Sequence, residues 1–340
     1  MSNFIHVGFI GCGLMAQKHM KIIQHYIPQI KIKAMMDIVE DKAKSAYKEF
    51  NADYFTTDLN LLLKDSEIDT VYICTHHDTH VQLGIKAAQA GKNIFMEKPL
   101  ALTVEECKQM EDTVKSTGIK FMMGFPQRFS ELSQKAKELV PRPTMVWGRQ
   151  IQGRWADTFW AQNSRGGGGN VLSAGCHTMD TICYFSASKP VEIHAEGGSV
   201  RHVNKEVIDT MMGVIRFENG STAAVIIADC APAGLPEVAY ELLGEGHGAF
   251  ILNFQELWYD SPGGGLGLKA EINLRIPFKG ASGIIGKDYG LIQENEAFVR
   301  YVLSGESSPC PVEDGTRATL LVLKSFESIR TGKTQEINLS

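Results

Sequence analysis

Through residue 125 the hydrophobic positions fall into short, nearly unbroken apolar runs separated by amphipathic stretches. Such runs read as strands covered on both faces, with the stretches between them as covering helices. The pattern predicts strands over 6–10, 31–36, 52–55, 70–74, 93–96 and 119–123. It predicts helices from the Gly11–Ala16 turn to about Tyr26, then over 41–50, 58–64, 78–90 and 103–117. Thr103-Val104-Glu105-Glu106 has capping-box spacing, and Gly91 and Gly118 stop the helices before them. Six strands alternating with helices describe a doubly wound parallel α/β sheet.

After Phe125 the pattern changes. A strand over 144–152 leads into Arg154-Trp155-Ala156-Asp157-Thr158-Phe159-Trp160 and then four glycines, 166–169, expected to pass close to a ligand or another backbone. Asn170 to Ser173 lead into an amphipathic helix from Ala174 to about Phe185, which puts His177 and Asp180 on one face, with Ser173 one turn earlier. Strands over 211–217 and 221–228 flank the hairpin signal Glu218-Asn219-Gly220. Further strands over 238–243, 249–253, 255–259 and 271–276 follow without intervening helices, which implies a large, mostly antiparallel sheet. Pro262-Gly263-Gly264-Gly265 marks a loop, and helices return over 290–304 and 314–330. Two domains are expected: a nucleotide-binding α/β domain over 1–125 and an α+β substrate-binding and oligomerisation domain over 126–340.

The chemistry begins at the first turn. Strand 6–10 runs into Gly11-Cys12-Gly13-Leu14-Met15-Ala16, a G-x-G-x-x-A sequence opening a helix. The first glycine allows a tight turn, the second lets a pyrophosphate approach the backbone, and Ala16 permits close helix packing. Asp37 ends the second strand, 24 residues after Gly13, at the spacing of an acid that takes the ribose hydroxyls. It would repel a 2'-phosphate, and Ile38 offers apolar surface to adenine, so NAD is expected in preference to NADP.

The strand over 93–96 ends in Glu97-Lys98-Pro99, two charges directly after a buried run. Lys98 therefore stands at the carboxyl end of a parallel strand, where such sheets hold ligands. His76, His77, Asp78 and His80 cluster after the fourth strand, but only His76 and His80 have helical i,i+4 spacing. Asp78 reads as the cap of the next helix, and no metal site is expected. Composition narrows the class further. The formal charge of −5 gives no footprint for nucleic acid, and no apolar run reaches the roughly 20 residues of a membrane span. Seven cysteines without a C-x-x-C pair, after a Met1-Ser2-Asn3 start with no signal-peptide character, point to reduced thiols and a cytoplasmic protein.

With these motifs the chain resembles the Gfo/Idh/MocA family, relatives of glucose–fructose oxidoreductase and inositol dehydrogenase, over nearly its whole length. The resemblance rests on Gly11–Ala16, on Ala90-Gly91-Lys92-Asn93 before Glu97-Lys98-Pro99, on Gly167–Gly169, on Gly175-x-His177-x-x-Asp180 and on Glu313-Asp314-Gly315. It implies a Rossmann domain and NAD-dependent hydride transfer at a secondary alcohol or ketone of a sugar or cyclitol, in a homodimer or homotetramer. Lys98 and His177 match the catalytic pair. Gly11, Gly13, Leu14, Met15, Ala16, Asp37, Ile38, Thr75, His80, Glu97 and Lys98 are expected around the cofactor. Lys98, Arg128, Arg154, Trp155, Trp160, Ser173 and His177 are expected around the substrate. One position departs from the family's D-x-G-x-H: Ser173 stands where an aspartate is usual, able to hydrogen-bond but uncharged. Two other readings stay open, glycoside cleavage by oxidation, elimination and re-reduction, and a non-catalytic NAD-binding sensor.

Overall fold

The computed structural model describes residues 4–203, 205–232, 234–261 and 289–339, and the backbone of 272–274. The Pro262–Gly265 loop and the Met1–Asn3 start lie outside the described residues. The chain divides into two compact units, Met1–Pro126 with Gly280–Thr316, and Gln127–Lys279 with Arg317–Ser340.

The first unit runs β1 (Ile5–Ile10), α1 (Leu14–Tyr26), β2 (Ile30–Met36), α2 (Glu40–Phe50), β3 (Tyr54–Thr56), α3 (Leu59–Lys64), β4 (Thr70–Ile73), α4 (His80–Gln89), β5 (Asn93–Glu97), α5 (Val104–Thr117) and β6 (Phe121–Gly124). Its sheet has the order β3-β2-β1-β4-β5-β6 with every pairing parallel, the doubly wound arrangement. Tyr72 of β4 stacks on Phe9 of β1 at 4.9 Å and on Phe95 of β5 at 4.6 Å, joining the central strands through one aromatic layer. Thr103 and Glu106 form the expected capping box, and Gly118 ends α5 in the left-handed conformation. Asp78 does not cap α4. A single 3-10 turn over His77–Thr79 precedes that helix, and Thr79 holds its N-cap position without a side-chain bond.

The chain continues through α6 (Glu131–Leu139), β7 (Met145–Ile151), α7 (Gly169–Ser186), β8 (Pro190–Gly198), β9 (Thr210–Phe217), β10 (Thr222–Ala228), β11 (Val238–Gly244), β12 (His247–Leu252), β13 (Glu256–Asp260), β14 (Ile272–Leu274), α8 (Leu291–Ser304), α9 (Val312–Thr331) and β15 (Gln335–Glu336). The described strands of the second unit form one sheet, β14-β13-β12-β11-β7-β10-β9-β8-β15. Every pairing in it is antiparallel except β7 with β10. Val146, Ala223, Val225 and Ile227 are buried on one face, where α7 packs on β7 and β10. Helix α6 is not read from the sequence pattern above, although Ser130 accepts from the Ser133 N–H as its cap and Leu132 and Ala136 are buried.

The second domain is not one continuous segment. Helix α8 packs on α1 and β1, so Gly280–Thr316 belongs with the first unit rather than with 126–340. The apolar face of α8, with Leu291, Ala297, Phe298 and Val299 buried, supplies the reason.

Candidate active site

In the first unit the predicted residues gather at the carboxyl edge of the parallel sheet. Gly11 has φ +89°, and a Cβ built there would lie 2.6 Å from the Cys74 carbonyl oxygen, so the turn leaving β1 requires glycine. A Cβ on Gly13 would meet open space. Gly13 caps α1 with no side-chain bond and no acidic residue follows in the first turn, which leaves the helix N–H groups directed at that space. An open turn before an uncapped helix start fits a pyrophosphate. The Asp37 carboxylate stands beside it, Oδ2 accepting the Cys12 N–H at 2.8 Å and Oδ1 the Val39 N–H at 2.9 Å. Two backbone donors thus orient this carboxylate, whose remaining lone pairs fit ribose hydroxyls. Leu14 and Ile38, 73% and 85% exposed, supply apolar surface in the same region. These residues fit a dinucleotide. Burial, and then Asp37, push the Cys12 thiol up to about 12, so it stays protonated and inert.

Strand β5 carries the next group. Glu97 is buried, and its charge is met from below: Oε1 lies 2.9 Å from His19 Nε2 of α1, and Oε2 accepts the Lys98 N–H at 3.2 Å. Lys98 itself is half-buried at the end of the strand. His80 is fully buried, with Nδ1 2.7 Å from the Pro99 carbonyl and Nε2 3.2 Å from that of Thr75. It ties the loop after β4 to the loop after β5 through the Thr75 and Pro99 carbonyls. His77 is likewise buried, its ring 5.9 Å from that of His80.

In the second unit, α7 carries Ser173, buried, and His177, half-buried, one turn apart. Gly167 packs against the backbone of Ala161, where a Cβ would collide, so at this position the glycine run serves another backbone. Trp155, Phe159 and Trp160 form an aromatic cluster before that run, with Trp155 5.0 Å and Trp160 5.6 Å from the Phe159 ring. Arg154 donates to both oxygens of Asp157, at 3.2 and 3.3 Å. Arg128, expected at the substrate, is buried instead, with Nε 3.0 Å from Asp180 Oδ2 and its guanidinium 5.7 Å from the Tyr184 ring. A buried guanidinium demands a carboxylate partner, and Asp180 meets that demand.

A family model described as an oxidoreductase family with an NAD-binding Rossmann fold matches residues 5–125. A model of the GFO/IDH/MocA C-terminal domain matches residues 135–249. The chain belongs to the Gfo/Idh/MocA oxidoreductases. An uncharacterized oxidoreductase of Bacillus subtilis is 31% identical over 235 residues, 66% of this chain and 67% of its own. The myo-inositol 2-dehydrogenase of Thermotoga maritima is 25% identical over 353 residues, 98% of this chain and 99% of its own. Among solved structures, a levoglucosan dehydrogenase in complex with NADH has the same fold, with a TM-score of 0.87 at 23% identity, covering 99% of this chain and all of its own (100%). This Gfo/Idh/MocA chain is therefore an NAD-binding oxidoreductase, and no helix among its described residues is long and apolar enough to cross a membrane.

Two polar clusters escape the sequence reading. One is His19 with Tyr72, Glu97 and Asn295 in the first unit. The other, in the second unit, centres on His202, with Nδ1 2.8 Å from Asp157 Oδ1 and Nε2 2.6 Å from Asp229 Oδ2. The available signal for the first is a histidine on the apolar face of α1, between Ala16 and Met20. The second has no local signal, since its members lie on separate loops and a strand end.

Proposed function

We propose that the protein oxidises a ring secondary alcohol of a sugar or cyclitol to the ketone, with NAD as its preferred cofactor. The observation that carries this is one sheet edge holding an open pyrophosphate cradle, a pinned ribose acceptor at Asp37 and, two strands away from β1, a half-buried lysine. Bound NAD supplies the hydride acceptor. The Lys98 amine takes the hydroxyl proton as the carbinol hydride leaves, so a CH–OH becomes C=O and the ammonium is formed. His177 is assigned the second proton-handling role in the other unit, and Trp155 and Trp160 the stacking of a sugar face. Relatives named for inositol and levoglucosan support this substrate class.

The same reading includes a homo-oligomer in the cytoplasm. Met145, Met212, Val214 and Trp258 leave large apolar side chains exposed on the second unit's sheet, a face expected to be covered by another copy. A monomer mass by light scattering at micromolar concentration overturns that part. For the activity, NADH fluorescence is followed while inositols, levoglucosan, free sugars and their keto forms are offered with NAD or NADH. Stoichiometric cofactor conversion with one of them is expected. Glycoside cleavage without net NADH, or no turnover across the panel, refutes the proposal.

A further inference from the structure

Beneath Lys98 lies a chain of hydrogen bonds with a single direction. Tyr72 Oη donates to Asn295 Oδ1 at 3.0 Å. Asn295 Nδ2 donates to the Leu291 carbonyl at 2.7 Å and to His19 Nδ1 at 3.0 Å. The Leu291 carbonyl accepts only, which fixes the amide's orientation, and a donor on Nδ1 leaves His19 its proton on Nε2. That N–H points at Glu97 Oε1, 2.9 Å away, while Glu97 Oε2 takes the Lys98 N–H. His19, Tyr72 and Asn295 are wholly inaccessible to solvent. The His19 ring is also wedged between aromatic neighbours, 5.0 Å from Phe95 and 5.7 Å from Tyr72.

A buried polar network costs stability relative to a well-packed apolar core. This one delivers a proton donor to the carboxylate next to Lys98, and it does so from α1, whose first turn faces the pyrophosphate cradle. We infer that His19 is a positioning residue: it holds the Glu97 side chain, and Glu97 in turn holds the Lys98 backbone N–H and so the place from which the lysine side chain starts. Asn295 sets the ring's tautomer from α8. This inference rests on the proposed role of Lys98 in proton exchange.

The test uses two isosteric halves of the imidazole. Gln places its amide nitrogen where Nε2 stood, and Asn places one where Nδ1 stood. His19→Gln keeps the donor to Glu97, and His19→Asn loses it. The first measurement needs no substrate: competitive acetic anhydride labelling of Lys98 against the other lysines at one pH, read by mass spectrometry on the full chain. In His19→Asn the relative labelling rate of Lys98 is expected to rise by about 3-fold or more, because an unheld Glu97 releases the lysine's backbone. In His19→Gln it stays at the parent rate. NADH titration by fluorescence should be unchanged in both, since the cradle and Asp37 are intact. Once a substrate is in hand, kcat of His19→Asn should fall by about 10–100-fold, with the Gln variant rescued. A structural role alone would lower melting temperature without separating the two variants in labelling. If both label like the parent, or both shift together, the inference is wrong. Lys98→Met assayed alongside separates the causes: full activity there refutes the lysine's role, whereas loss there with unshifted His19 variants refutes only the present inference.

Discussion

Arg128 holds Asp180 by two donors, Nε at 3.0 Å from Oδ2 and Nη2 on Oδ1, with both side chains removed from solvent. The pair joins the 3-10 turn at Pro126–Phe129 to the helix that carries His177. Removing one partner leaves a charge buried without its counter-ion. Asp180→Ala should therefore destabilise the protein by about 3–5 kcal/mol. Denaturant unfolding followed by circular dichroism checks this. A loss under 1 kcal/mol would mean that water reaches the guanidinium readily.

The His80 clamp predicts an acid limb in stability. Burial holds its pKa below the ordinary 6.5, although the Pro99 and Thr75 carbonyls pull it upward. Between the folded value and 6.5 the unfolded chain binds the extra proton, so stability rises with pH across that window and falls as pH drops through it. Melting temperature between pH 7 and pH 5 should decline less steeply in His80→Gln than in the parent. Equal slopes would show that His80 ionises without cost.

On the proposed reading Asp37 governs cofactor choice. Asp37→Ser removes the charge that opposes a 2'-phosphate and one acceptor of the Cys12 and Val39 N–H groups. NADH should bind more weakly and NADPH relatively better, a change of about 10-fold or more in their ratio. Paired fluorescence titrations measure it, and a constant ratio speaks against ribose recognition by this carboxylate.

Replacing Lys98 with Met keeps the stem and removes the ammonium. Hydride transfer should drop by about 10²–10⁴-fold while NADH binding holds. Ser173→Asp restores the charge usual in the family one turn before His177. If the serine is matched to its substrate, kcat/KM falls in that variant. An unchanged value marks the serine as merely tolerated.

The Gly11–Ala16 turn was legible because its geometry is local: it follows β1 directly, and Asp37 closes the strand beside it. The doubly wound sheet was legible for the same reason, since buried parallel strands and their helices write their periods into consecutive residues. The pattern also raised the question of where the Glu97 charge goes, without answering it. His19 answers it from 78 positions away, and Asn295 reaches His19 from 276 positions away. The Arg128 partner lies 52 positions along the chain, and the place of α8 in the first unit depends on which apolar faces meet. Backbone conformation follows from neighbours in sequence. The partner of a buried charge follows from which elements pack together, and only the tertiary structure decides that.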